Sequence, residues 1–448
     1  MCDKKLCRVA GERVVAVSRK EGLRPSNLPP ARDCDGPRVG TSRRSGGVSP
    51  FNLGGVLAIA VVRIENLVKN YGSVEAVRNV TLTCNDGEMM ALLGPSGCGK
   101  TTILKMLAGI EDITSGELYF DDEPIGDRDP SARNIAMVFE DYALYPRLSV
   151  AQNIAFPLKI RRMPKSEIRP RLEKTLDMLD LQQFRNENVQ RLSGGAQQRV
   201  SIGRALVRDP SLILFDEPLS HMDGDQKAQL RVEIKRLHHE MGLTSFLVTH
   251  DQTEAIAMCN RVAVLNFGVL QQVDTAQAVY GRPANLFVAA FVGEPPMNLL
   301  PAEIQEDNGA LVASGAGWRV PLPGDVETVV RRAARLTSVI VGVRPEHLTL
   351  AEPNAAGEEE GVLPGVVYFR ELRGDSEVIL VSTDALGEPV KRESAADSGR
   401  IIIEVTGNTG LNEGELVALR IPPDRVHVFD AASGENLLGG RPCAASKT

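Results

Sequence analysis

The chain has 448 residues, too many for one ordinary domain, and its 43% hydrophobic and 24% charged content is that of a globular protein with ample core. A net charge of -7 argues against nucleic-acid binding driven by charge alone. Seven scattered cysteines without a C-x-x-C pair suggest neither a disulfide framework nor a zinc site and suit a reducing cytosol, and no apolar run reaches the roughly 18–20 residues of a membrane helix.

Residues 1–58 are rich in Arg, Ser, Gly and Pro and show neither helical nor strand periodicity, so a disordered extension is expected. The start, MCDKK, lacks a following apolar core and does not read as a secretory signal. From residue 61 to about 292, apolar strand-like runs (EMMALLG, LILFDEP, SFLVTH, RVAVLN) alternate with helical patterns, the grammar of an α/β domain. Within it, about 150–195, SEIRPRLEKTLDMLDL has helical spacing and little strand character, which predicts a helical subdomain. Beyond residue 300 the runs become short and β-rich (SVIVGV, GVVYFREL, EVILVS, IIIEVT, LVALRI, VHVFD), predicting small antiparallel barrels. The expected domains are thus 59–295 and 296–440, with a tail at 441–448.

The strongest local signal is GPSGCGKT at 94–101, preceded by a strand-like run and followed by a helical one, the context of a P-loop. Gly94, Gly97 and Gly99 let backbone N–H groups turn inward onto phosphate oxygens, and the helix N-terminus favours negative charge. The expected phosphate-binding set is Gly94, Pro95, Ser96, Gly97, Cys98, Gly99, Lys100, Thr101 and Thr102, with Lys100 reaching the β- and γ-phosphates and the Thr101 hydroxyl a ligand of Mg²⁺. Downstream, Leu212 to Phe215 deliver two carboxylates at the end of an apolar run. Asp216 is placed to order Mg²⁺ and Glu217 to orient and deprotonate an attacking water. Between them lies LSGGAQQR, which alone is equally a helix start with Ser193 as N-cap.

With that segment in place, the chain from residue 61 onward resembles the ABC ATPases, whose signature sequence has this form. The resemblance implies that the signature loop of one subunit closes over the γ-phosphate held by another, so Ser193, Gly194 and Gly195 act in trans and a dimer is required. It further implies that Tyr71 stacks on adenine, that Asp223 in LSHMDG lies in the loop crossing the dimer, and that His250 in LVTHD contacts the γ-phosphate.

The segments YALYP, NIAFPLK, RPANLFVA, PPMNLL, VGVRPEHL and SGENLL look like the maltose- and sn-glycerol-3-phosphate-type carbohydrate importer ATPases. That branch implies an α/β P-loop ATPase with helical subdomain, then an all-β domain of OB-like, TOBE-type barrels with a regulatory, dimer-supporting role. It also implies ATP and Mg²⁺, membrane permease subunits, an extracytoplasmic solute-binding protein acting indirectly, a place at the cytoplasmic face of the cell membrane, and no nucleic-acid partner. Polyamine, iron or inorganic-anion importers share this layout and remain the alternative cargo classes. Three departures stand out: Glu140 in MVFEDYALYP replaces the usual Gln, a contact of Mg²⁺ and the attacking water; Ala196 replaces the Gln after the signature glycines; and SHMDG replaces SNLDA. Glu140 adds charge near the γ-phosphate, which leads to the expectation of a heterodimer with a second ATPase carrying Gln, set against a homodimer that tolerates Glu.

Overall fold

The computed structural model describes residues 61–315, 317–332, 336–352, 361–383 and 400–439, so the extension 1–58 and the tail 441–448 lie outside the described residues. Strands Arg261–Asn266, Met89–Leu93, Thr244–Thr249, Leu212–Asp216 and Ile135–Val138 lie side by side in that order and run parallel, and Val269–Thr275 adds an antiparallel edge. Parallel strands covered on both faces need unbroken apolar runs, and MMALL is buried at every position. Because side chains alternate, Met89, Ala91 and Leu93 enter one core with the helical segment, while Met90 and Leu92 enter another with Ile103 and Leu104.

That second core is closed by a separate antiparallel sheet, ordered Val74–Cys84, Val62–Tyr71, Ser115–Phe120 and Glu123–Pro124. The single alternating α/β pattern expected from residue 61 therefore does not hold for this region. Val62, Ile64 and Leu67 are buried while Arg63, Glu65 and Asn66 are not, a one-sided pattern broken by bulges that mask the alternation. The helical segment consists of Val150–Ile160 and Lys165–Met178, packed on Gly194–Leu206. A capping box starts the first of these: Ser149 accepts from Gln152 N–H, and the Gln152 side chain accepts from Ser149 N–H.

The C-terminal part holds two five-stranded sheets. One is ordered Trp318–Pro321, Ala310–Gly315, Asn298–Asp307, Ser338–Val343 and Val426–Asp430; the other Thr349–Ala351, Leu416–Arg420, Val362–Arg373, Ser376–Ser382 and Arg400–Thr406. The buried Asn298 amide exchanges two hydrogen bonds with the backbone of Ile402, tying one sheet to the other. This part is not wholly β, since Gly324–Arg332 is a helix. Val326 and Val330, one turn apart, are its buried stripe, and Asp325 and Glu327 at its start and Arg331 and Arg332 at its end complement the helix dipole.

Candidate nucleotide site

The phosphate-loop candidates sit between the buried strand Met89–Leu93 and the helix Lys100–Ala108. Gly99, with φ 102, is the N-cap of that helix and offers no side-chain cap, leaving its first N–H groups to an incoming anion. A Cβ at Gly99 would lie 2.5 Å from the Ala76 carbonyl oxygen, and one at Gly94 would lie 2.3 Å from the Leu265 carbonyl oxygen, so any side chain at either position would push the loop off its supports. Cys98 is buried beneath the loop, its thiol pushed up by burial, while Ser96 is exposed and Thr102 half-buried. Lys100 is buried; its Nζ donates to the carbonyl oxygens of Gly94 (2.7 Å) and Pro95 (2.9 Å). These neutral acceptors hold the ammonium at the loop, where phosphate oxygens would compete as charged acceptors.

Thr101 Oγ1 donates to Asp216 Oδ1 at 3.2 Å, joining the loop to the end of strand Leu212–Asp216. Burial holds the Asp216 carboxyl above the usual carboxylate range; the Thr101 bond opposes this, and the charges of Glu217 and Glu140 add to it. Three carboxylates thus lie within electrostatic reach of one another, and one of them, Asp216, accepts from the Thr101 hydroxyl. Among the described residues no group of three His, Cys, Asp or Glu side chains is arranged to hold a metal unaided. A hydroxyl beside one carboxylate fits Mg²⁺ well, because that ion takes few protein ligands and completes its shell with phosphate oxygens and water.

Glu217 has φ 47, the left-handed region, at a cost of about 1 kcal/mol or more for a non-glycine residue. Its N–H donates to the Val248 carbonyl (2.9 Å), which fixes the bend, and its Oε2 lies 2.9 Å from His250 Nδ1. The structure therefore brings Lys100, Thr101, Asp216, Glu217, Glu140 and His250 to one end of the parallel sheet, where strands of this architecture present their ligand-binding ends.

Glu140 follows the edge strand Ile135–Val138, and its Oε1 lies 3.3 Å from Ser220 Oγ and 3.6 Å from His221 Nε2. Ser220 Oγ is also 3.1 Å from the Glu217 carbonyl oxygen. Two of the three departures from the family pattern, Glu140 and the His of SHMDG, are therefore neighbours. Their sequence positions do not connect them, and the one available signal is that both replace an amide side chain of the family pattern with a titratable one. Nor does the sequence mark Arg204 and Ser201. Tyr142 and Ala143 both have positive φ, and Arg204 donates to both their carbonyls (2.9 and 2.5 Å) while Ser201 Oγ donates to that of Tyr142 (3.0 Å). The helix after the signature thus clasps the loop that carries Glu140.

Ser193, Asp223 and Tyr71 make their own contacts outside this cluster. Ser193 caps Gly194–Leu206 by accepting from Ala196 N–H at 3.4 Å, and Asp223 caps Gly224–Met241 by accepting from Gln226 N–H at 3.0 Å, so both have local structural roles. A Cβ on Gly195 would meet Met222 at 3.3 Å, which sets the signature beside the LSHMDG loop. Tyr71 ends strand Val62–Tyr71; the residue is 45% exposed, with Lys69 Nζ 4.9 Å from the ring centroid.

Residues 77–220 match the ABC transporter family, 293–348 the MalK OB fold domain and 341–429 the TOBE domain. The chain is 41% identical to the trehalose import ATP-binding protein SugC of Mycobacterium tuberculosis, over 85% of this chain and 98% of that one. It is 39% identical to the trehalose/maltose import ATP-binding protein MalK of Thermococcus litoralis (85% and 100% covered), and 38% identical to the sn-glycerol-3-phosphate import ATP-binding protein UgpC 2 of Rhizobium johnstonii (84% and 99% covered). Near-complete coverage of these relatives, together with a phosphate loop, paired carboxylates and signature helix in family order, places the chain in the ABC transporter family of ATP-binding proteins, in the group whose ATPase is followed by OB and TOBE domains.

Proposed function

We propose that this chain is the ATP-hydrolysing subunit of an importer for a carbohydrate-type solute such as a sugar, sugar alcohol or glycerol phosphate. The observation that carries the chemistry is the convergence of Thr101 on Asp216 and of His250 on Glu217 at the mouth of the phosphate loop. The cargo class rests on the relatives named for trehalose, maltose and glycerol-phosphate import.

In this reading, backbone N–H groups of 94–99 and Lys100 Nζ bind the β- and γ-phosphates, and Tyr71 stacks on the base. Thr101, Asp216 and Glu140 would hold Mg²⁺, which when bound offsets charge on the phosphate oxygens. Glu217 accepts a proton from water as the water oxygen bonds to the γ-phosphorus and the bond to the β–γ bridging oxygen breaks, giving ADP and inorganic phosphate. His250 holds Glu217 and contacts the γ-phosphate. Ser193, Gly194 and Gly195 of a second ATPase subunit, with Asp223 near the seam, complete the site. That second subunit is another copy or a paralogue.

Residues 59–295 form the ATPase unit and 296–440 a regulatory one. No helix among the described residues is long and apolar enough to cross a membrane. In this reading permease subunits carry the solute and the ATPase docks on them at the cytoplasmic face. A groove of about 430 Å³ between Val150–Ile160 and Lys165–Met178, lined by Ala151, Ala155, Met163, Ile168 and Leu172 with Lys159 on its wall, suits a short amphipathic permease helix. Light scattering of the Glu217→Gln chain tests the composite site: ATP with Mg²⁺ is expected to raise the fraction of dimer. A chain that binds ATP yet stays monomeric at high concentration would contradict a site shared between copies. Co-expression with neighbouring transporter genes and mass measurement of the complex then separates two copies of this chain from a pair with a second ATPase.

A further inference from the structure

The turn that carries His250 is joined to the β-rich C-terminal part by a short relay of side chains. Strand Thr244–Thr249 is buried throughout, and Asp251 then caps helix Gln252–Met258 by accepting from Thr253 and Glu254 N–H. The first helical residue, Gln252, contacts a distant segment. Its Nε2 donates to the Phe291 carbonyl and its Oε1 accepts from Gly293 N–H, each at 2.6 Å. Phe291 ends helix Leu286–Phe291, and Gly293 has φ 118.

The residue between them is held from the other side of the domain junction. The Val292 carbonyl accepts from the Arg344 guanidinium, which also donates to the Tyr280 carbonyl (2.7 Å) and stacks 4.0 Å from the centre of the Tyr280 ring. Arg344 directly follows strand Ser338–Val343 of the C-terminal sheet and is 1% exposed. Tyr280 in turn donates to Glu346 at 2.5 Å. A Cβ on Gly293 would lie 2.6 Å from the Arg344 guanidinium, so the segment and the arginine fit together without slack. Three consecutive residues, 291 to 293, are thus gripped by one side chain of the ATPase and one of the β domain, and the ATPase grip begins two residues from His250.

We propose that Gln252 is a positioning residue through which the C-terminal β domain sets the placement of His250, and with it the rate of hydrolysis. Close-packed elements move as units rather than deforming smoothly, so a shift of the β domain carries Arg344 and 291–293 with it, and Gln252 passes the shift to the start of its helix and the His250 turn. This rests on the reading of His250 as a contact of the γ-phosphate. A merely structural clamp would stabilise the junction without touching turnover.

The test uses the full chain and two substitutions: Gln252→Met, which keeps length without hydrogen bonds, and Arg344→Lys, which loses the forked grip but keeps charge. Amide exchange at Gly293 is expected to quicken at least tenfold in Gln252→Met. Turnover is expected to fall several-fold, while binding of a fluorescent ATP analogue stays within twofold. Arg344→Lys is expected to lower turnover in the native background and to have no further effect in Gln252→Met, the non-additivity of residues in one chain of contacts. Faster Gly293 exchange with unchanged turnover, or effects of the two substitutions that multiply independently, would overturn the proposal. Should Gln252→Met not fold, Gln252→Glu, which keeps an acceptor for Gly293 N–H but loses the donor to the Phe291 carbonyl, carries the turnover part of the cycle, with Gly293 exchange expected to stay near native. A His250→Ala chain with native turnover would instead sink the catalytic reading of His250, whereas lost turnover in His250→Ala together with independent effects of Gln252→Met and Arg344→Lys would sink the relay alone.

Discussion

Replacing Glu217 by Gln removes a proton acceptor while keeping size and shape, so its effect on hydrolysis separates chemistry from packing. General-base catalysis contributes typically 10²- to 10⁴-fold, about 3–5 kcal/mol of barrier. The competing effect is on His250, whose Nδ1 is 2.9 Å from Glu217 Oε2. Exchanging a charge-assisted bond for a neutral one costs about 1 kcal/mol, roughly fivefold in rate, and less here because the His250 side chain is 57% exposed and screened by solvent. Loss of orientation therefore cannot reach a hundredfold, and loss of the base can. Phosphate release by the Glu217→Gln chain with its permease should fall by about 10²-fold or more, and ATP-analogue binding should stay within about twofold. Turnover within fivefold of native would refute the assignment of Glu217 as base.

Glu140→Gln should preserve or raise hydrolysis, because it removes a charge that adds to the burial already disfavouring the Asp216 carboxylate; steady-state phosphate release checks this, and abolished turnover would show that the carboxylate is required. Burial pushes His238, on helix Gly224–Met241, down to about 4, so below the ordinary His range of about 6.5 the unfolded chain takes up a proton that the folded chain refuses. Stability at this site is intact above that pH and falls as pH drops toward 4, by about 2 kcal/mol at pH 5. Melting temperature against pH should have a shallower acid slope in His238→Leu than in the native chain, whatever the offset between the curves. A chain ending after Gly293 should still bind nucleotide, since Lys100, Asp216, Glu217 and His250 all precede the cut; equilibrium binding on a folded truncation tests this, and lost binding would contradict the division of labour.

Much of the site was legible because its chemistry demands contiguous residues. A loop that wraps phosphate must be Gly-rich and sit between strand and helix, and GPSGCGKT does so. LILFDEP likewise had to be a buried strand ending in acids. What could not be read were contacts that only tertiary packing creates. Glu140 and Ser220 are 80 residues apart, and nothing local in either segment points to the other. The same holds for Gln252 and Gly293, and for Arg204 on the carbonyls of Tyr142 and Ala143. The antiparallel sheet built on Val62–Tyr71 was hidden by its register shifts, and helix Gly324–Arg332 by its shortness among strands.

The central claim, that hydrolysis on this chain drives solute import, is tested most directly by uptake into vesicles. The transporter complex copurified with this chain would be reconstituted with its binding protein and offered labelled trehalose, maltose and sn-glycerol 3-phosphate in turn. The account predicts accumulation of a carbohydrate-type solute that needs ATP on the side of this chain and is lost with Lys100→Ala. Uptake that proceeds undiminished with Lys100→Ala would contradict it, and a complex that carries only polyamine, iron or inorganic anions would overturn the cargo class.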